Sequence, residues 1–350
     1  LSTNPTSSPS SDGSIFSSEF SGVVIVFSTA FIFSTSFMKS WTSTDLVRVG
    51  EKIGFLPKLK SPVAASVFVT KGGVLKSSLT LNLARLAALN GIRTCVVGLD
   101  MQGDVTTALS SEESFEDESL DRALQRMNEV RGLADVFTGQ AYLDDVMRTT
   151  DLENLMYIPE TPELVALDQS LINRNRREYW LRDTVIMPLK REFDLVLMDC
   201  SPNWNRLITN ALVASDVLIS PVECKINNFR NLKTFRALVE EFRSDMGANF
   251  EHVFVPTRLS ASRKLSQEIH GWYQENLAPR CAAHAVRESI HGEEANAMKL
   301  STPEYAPASP AADEMRALTT ELWNTFAGLG ATKPKSASEH VARPSSDLTM

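Results

Sequence analysis

Apolar residues fall into two recurrent patterns between residues 60 and 327: short, nearly unbroken runs, and longer stretches where they return at helical spacing. The runs are "VAASVFV" (63–69), "RTCVVGLD" (93–100), "LMYIPE" (155–160), "FDLVLMD" (193–199), "DVLISPVE" (216–223) and "HVFVPT" (252–257). Each has the length and β-rich character of a strand buried on both faces. Between them lie helical patterns: "SLTLNLARLAALNG" (78–91), which stops at Asn-Gly, a stretch from the 155–160 strand through about 178, then 229–245, 264–277 and 311–327. Such alternation predicts an α/β fold: a doubly wound, mostly parallel sheet flanked by helices, with ligands outside the carboxyl ends of the strands. No internal repeat is visible.

The ends read differently. Residues 43–56 predict a short helix capped by Ser43 or Thr44, so 38–60 is expected to be a short N-terminal helix and linker leading into a single domain over 61–328. Residues 1–37 are rich in Ser and Thr and carry no Lys or Arg. Their apolar run "GVVIVFSTAFIF" (22–33) lacks the basic n-region of a signal peptide and is short for a spanning helix. The favoured reading is a disordered or non-native extension, with a membrane anchor as the minority reading. Residues 329–350 read as a disordered polar tail, and the acidic segment 110–121 as an exposed loop or solvated helix end.

Composition narrows the class. With 350 residues, 43% hydrophobic and 22% charged, the chain is long enough for one large core. A net charge of −8 argues against a surface coated throughout by nucleic acid and still permits a local basic face. Cys95, Cys200, Cys224 and Cys281 are far apart with no C-x-x-C spacing, which points away from a zinc site or disulfide framework and towards a reducing cytoplasm.

The candidate chemistry gathers at strand ends. "TKGGVLKSS" (70–78) joins the first strand to the first helix and approaches G-x-x-x-x-G-K-[ST], with Thr70 and Leu75 where glycines belong and an extra lysine at 71. In such a loop, backbone N–H groups over Gly72, Gly73, Val74, Leu75 and Ser78 wrap phosphates, and the helix N-terminus adds a favourable partial charge. Lys76 would reach the β- and γ-phosphates, the Ser77 hydroxyl would bind Mg2+, and Asp199, closing its strand, is the natural carboxylate for that metal.

"KGGVLKSS" resembles the deviant Walker A motif of the ParA/MinD ATPases, K-G-G-x-x-K-[ST]. "GLDMQGDVTTAL" (98–109) is similar to the family's D-x-D-P-Q-G-N segment, with Gly98 in place of the first Asp and Met101 in place of Pro. "LMYIPETPEL" (155–164) fits its I-P segment, and 193–223 resembles its Walker B strand and the strand after it. Together these cover about residues 60–325, and the likeness is greatest to ParA-type plasmid and chromosome partition ATPases. The resemblance implies Mg2+-dependent ATP hydrolysis, slow in turnover. Lys71 would be the signature lysine that reaches across a nucleotide-sandwich homodimer to the partner's phosphates, so Lys71, Lys76 and Asp100 form the catalytic set. Asp100 would position the attacking water or support Mg2+, although capping the next helix also fits it. Asn210 would meet the adenine base or serve as an ordinary helix residue.

The implied output is segregation. An ATP-bound dimer binds DNA without sequence preference and is released when a centromere-binding ParB-type protein stimulates hydrolysis, which places it in the cytoplasm on the nucleoid. "TRLSASRKLSQ" (257–267) brings Arg258, Arg263 and Lys264 before a helix, and Arg287 follows. Arg263, Lys264 and Arg287 are the candidate DNA contacts. Alternatives are a MinD-like membrane-associated positioning ATPase and a weakly hydrolysing ATP-binding scaffold, which Gly98 favours. The tail after Gly330 lacks the apolar stripe of a membrane helix, so no membrane contact is expected. A reductase like nitrogenase iron protein needs more cysteines than Cys200. The stretch 38–60 is too short for a helix-turn-helix domain.

Overall fold

The structure is a computed structural model that describes residues 56, 57, 59–110, 130–226 and 228–329, the side chains of 228–230 excepted. The sequence readings of 1–37, 38–60, the 43–56 helix, the acidic segment 110–121 and the 329–350 tail lie outside the described residues, save for edge residues such as Leu56, Ser110 and Leu329. All described residues fall within one unit of the chain, Asp45–Met350.

Among the described residues, eight strands form one sheet: β1 (Val63–Val67), β2 (Thr94–Leu99), β3 (Arg148–Thr149), β4 (Leu155–Ile158), β5 (Leu195–Cys200), β6 (Val217–Glu223), β7 (Glu251–Leu259) and β8 (Val286–Arg287). Their spatial order is β3-β4-β2-β5-β1-β6-β7-β8. Every neighbouring pair is parallel except β3–β4. β1, β2, β5 and β6 are buried along their whole length, because helices cover both faces of the sheet and leave no polar side to alternate. The register aligns Val67 with Asp199 and Gly98 with Asp199, so the ends of the three central strands are level.

Among the described residues the α-helices are α1 (Lys76–Leu89), α2 (Asp104–Leu109), α3 (Leu133–Thr138), α4 (Leu143–Val146), α5 (Leu164–Ser170), α6 (Met187–Glu192), α7 (Arg206–Ala214), α8 (Asn228–Met246), α9 (Lys264–Asn276), α10 (Ile290–Ala297), α11 (Thr302–Tyr305) and α12 (Pro310–Gly328). The expected helix through residue 178 is broken. After α5 the chain makes two 3-10 turns, Leu171–Asn173 and Arg177–Tyr179, with Arg176 left-handed between them at φ 53°. Residues 172–177 are all exposed, so this polar stretch has no apolar stripe to hold a continuous helix on the core. β3 and β8 went unforeseen, since two residues carry no periodic signal.

One buried clamp fixes α1. Arg85, 1% exposed, is bidentate to Glu304 of α11 (2.7 and 2.8 Å) and to Asp151 (2.8 Å twice). Glu304 also accepts the Ser301 N–H and hydroxyl at 2.9 and 2.6 Å. The charge is thus paired with two carboxylates through four hydrogen bonds, the condition under which a buried ion is tolerated.

Candidate nucleotide site

Beyond β1 the chain runs through Phe68–Leu75 and enters α1 at Lys76, with no side chain capping that helix. Its first-turn N–H groups therefore remain open to an anion at the positive end of the helix dipole. Gly73 is left-handed at φ 71° and Leu75 at φ 68°. The glycine missing at 75 is thus a real backbone demand, which Leu75 meets at a cost of about 1 kcal/mol. A Cβ added at Gly72 or Gly73 would meet nothing within 4 Å, so the loop keeps an open cradle.

A cleft of about 530 Å³ lies over this loop, bounded by the turn after β2, by α5 and by the turn before α7. Gly72, Gly73, Leu75, Lys76, Ser77, Ser78 and Asp100 all line it. Val74 is 1% exposed and belongs to the core through its side chain. Lys76 Nζ donates to the Lys71 carbonyl at 3.1 Å, and burial lowers its pKa against the pull of Asp199 and Asp100. Lys71 is not among the lining residues: its ammonium pairs with Glu223 at the end of β6.

Asp199 is wholly buried beside the loop. Its Oδ1 accepts the Thr80 hydroxyl at 3.0 Å, while Oδ2 has no hydrogen-bond partner. Burial pushes its pKa up to about 7, with the Ser77 and Thr80 hydroxyls pulling it back. An orphaned carboxylate oxygen beside a serine hydroxyl is the hard oxygen donor set that a small divalent cation takes. Asp100, 8% exposed, accepts Gln102 N–H at 3.2 Å through Oδ1 and still lines the cleft.

The two-lysine loop, the uncapped helix and the strand-end carboxylate occur together on one sheet edge, and residues 64–252 match the AAA domain family. The chain belongs to that family. It is a ParA/MinD-type member with the fold of P-loop NTPases. It is 24% identical over 224 residues to the chromosome partitioning protein ParA of Myxococcus xanthus, covering 63% of this chain and 74% of that protein. It is 28% identical over 259 residues to the cell division protein PomZ of the same organism, covering 72% and 75%. Cobyrinic acid a,c-diamide synthase of Mycobacterium smegmatis, solved with ADP and magnesium, shares the fold with TM-score 0.60 and 21% identity over 76% of this chain and 95% of that one.

Not every expected ParA/MinD position reaches the cleft. Asn210 is fully buried, accepts Leu181 N–H at 3.1 Å and donates to the Arg206 carbonyl at 2.9 Å. The amide oxygen thus fastens α7 to the segment before α6, while the amide nitrogen bonds back within α7, and Asn210 does not line the cleft. Arg263 is exposed just before α9, and Lys264 is 92% exposed at 3.6 Å from Glu268. Arg287 instead donates to Glu314 at 2.6 Å and makes a second bond through Nη2. Arg258, grouped by sequence with the basic stretch, turns to the loop. Left-handed at φ 50°, it donates to the Gly73 carbonyl at 2.9 Å and lies 3.3 Å from Glu223.

Sequence reasoning missed Thr80, Glu223 and the loop-facing role of Arg258. Thr80 was legible, because helical spacing puts it on the face of Lys76 and Ser77. The other two depend on β1, β6 and β7 lying side by side, which no local pattern shows.

Proposed function

We propose that this chain is an ATP- and Mg2+-dependent DNA partition ATPase, working as a nucleotide-sandwich homodimer on the nucleoid in the cytoplasm. The observation that carries this is the pairing of an open, two-lysine loop with the orphaned Asp199 oxygen beneath it. Lys76, Ser77, Ser78 and the backbone of 71–75 bind the phosphates, and Asp100 orients water. Ser77 and Asp199 would hold Mg2+, which would supply neutralising charge to the phosphates. Lys71 leaves Glu223 and enters the partner's site, adding a cation where charge builds in phosphoryl transfer. Exposed Arg263 and Lys264 contact DNA phosphates without reading sequence, and a ParB-type protein stimulates hydrolysis and release.

The likeness to a cell division protein over 72% of the chain favours a second reading, an ATPase that positions a division assembly, for which the MinD-like alternative would add a membrane surface. No helix of the described residues is long and apolar enough to cross a membrane. Co-sedimentation with ATP separates the two: the partition reading expects pelleting with DNA and none with anionic liposomes. Pelleting with liposomes alone would reverse the assignment.

A further inference from the structure

Gly98 has no side chain in a place another residue occupies. A Cβ built there would lie 2.3 Å from Glu160 Cδ and 2.7 Å from Glu160 Oε1. Glu160 arrives from the end of β4 and is 8% exposed. Its Oε1 accepts Val105 N–H at 3.1 Å, and Oε2 accepts Thr106 N–H at 2.8 Å and the Thr106 hydroxyl. The Thr106 oxygen in turn accepts Glu160 N–H at 3.0 Å. One buried carboxylate therefore spans from β4 to the start of α2, a helix whose own N-cap is Gly103 and has no side chain to offer.

Two further facts tie this contact to the cleft. Gly98 is the register partner of Asp199, so the Glu160 carboxylate occupies the space beside the carboxylate assigned to Mg2+. The turn it anchors is the one carrying Asp100: the Asp100 carbonyl accepts Gly103 N–H at 3.1 Å, and α2 follows directly. In the D-x-D-P-Q-G-N pattern described above, an aspartate stands at position 98. Here the strand gives up that side chain, and a carboxylate from the neighbouring strand fills the space.

We propose that Glu160 is a positioning residue, supplying from β4 the carboxylate that the ParA/MinD pattern places at position 98 and holding the Asp100–Asp104 turn in register with the nucleotide. The helix dipole favours a negative charge at the start of α2, and removing it leaves the buried Val105 N–H and the half-buried Thr106 N–H without that partner. The loop at 70–78 is untouched, so nucleotide affinity is maintained while the placement of Asp100 is lost. Gly98 and Glu160 form one exchangeable unit: neither position accepts change alone.

This rests on the ATPase reading, and the test keeps the two apart. The wild-type chain is first assayed for Mg-ATP binding and turnover, where absence of both would sink the ATPase reading before any variant is made. Then Gly98→Asp, Glu160→Ala, Glu160→Gln and the double variant Gly98→Asp/Glu160→Ala are compared for kcat, KM and melting temperature. Glu160→Ala and Glu160→Gln are expected to lose about 10- to 100-fold in kcat at unchanged KM, the size of a misplaced group. Gly98→Asp is expected to melt lower through its clash with Glu160. The double variant recovers both melting temperature and kcat to within about threefold of wild type, a strongly non-additive cycle. Losses in the double variant that equal the sum of the single ones overturn the exchange. A KM rise at unchanged kcat, or recovery of melting temperature without kcat, overturns the positioning role.

Discussion

Thr80 holds Asp199 by one oxygen, donating to Oδ1 at 3.0 Å and leaving Oδ2 with no partner in a wholly buried carboxylate. Folding does not favour an arrangement of that kind, since an unsatisfied buried acceptor costs about 1–3 kcal/mol. It persists where a cation completes it. In ADP, addition of Mg2+ is therefore expected to raise the stability of the wild-type protein, by about 2.7 kcal/mol at a hundredfold excess over Kd. Calorimetric melting checks this, and Asp199→Asn should lose the Mg2+ increment while keeping its response to ADP alone. An undiminished increment in Asp199→Asn would remove that residue from the metal site.

The two lysines of the loop divide the work. Lys76 lies buried in the cleft, whereas Lys71 sits on Glu223. Equilibrium binding of a fluorescent ATP analogue should vanish in Lys76→Ala and survive in Lys71→Ala. Sedimentation should then show Lys71→Ala failing to dimerise with ATP, together with lost hydrolysis. Normal hydrolysis by Lys71→Ala would refute its action on a partner's phosphates.

Arg85 clamps α1 to α11 through Glu304 with both groups out of water. Arg85→Met strands the Glu304 charge, and urea unfolding should report a loss of about 3–5 kcal/mol. Arg85→Met/Glu304→Leu should recover much of that loss, because no lone buried charge remains. Equal losses in the two variants would mean that α1 is held by something other than this pair.

His252 predicts acid sensitivity. It is 2% exposed, and burial with nearby arginines lowers its pKa from 6.5 to about 3. Its Nε2 lies 2.9 Å from Ser220 Oγ, which itself donates to the Phe68 carbonyl at 2.8 Å under the nucleotide loop. Ser220 spends its proton on that carbonyl, so the neutral ring fits as the tautomer that donates from Nε2. The unfolded chain takes up a proton below about pH 6.5 and the folded chain only near pH 3. This group's contribution is therefore full above pH 6.5 and is lost as pH falls, by at most about 1.4 kcal/mol per pH unit. Denaturation midpoints in His252→Phe should fall less steeply from pH 6.5 to 4 than in wild type. Parallel curves would show that His252 does not carry the effect.

Most of the sheet was legible because its central strands are continuous apolar runs, and so was the loop, whose residues are contiguous. What stayed hidden was long-range. Asn210 looked available because a buried amide and a ligand-facing one read alike in sequence, and only the approach of Leu181 from another segment separates them. Arg287 looked like a surface cation until Glu314 of α12 came beside it. Gly98 looked like a missing carboxylate. In the fold its space is filled from a different strand, a substitution in three dimensions that a linear motif cannot show.

The central claim, a nucleotide-gated DNA-binding dimer, is tested most directly by titrating non-specific duplex DNA against the full chain with ATP, with ADP and without nucleotide across a salt series. The account predicts binding only with ATP, weakening linearly on a log–log salt plot, a shallower slope and weaker binding in Arg263→Glu, and a smaller effect of Arg287→Glu, whose guanidinium is already held by Glu314. Equal binding in all three nucleotide states, or binding indifferent to Arg263→Glu, would contradict it.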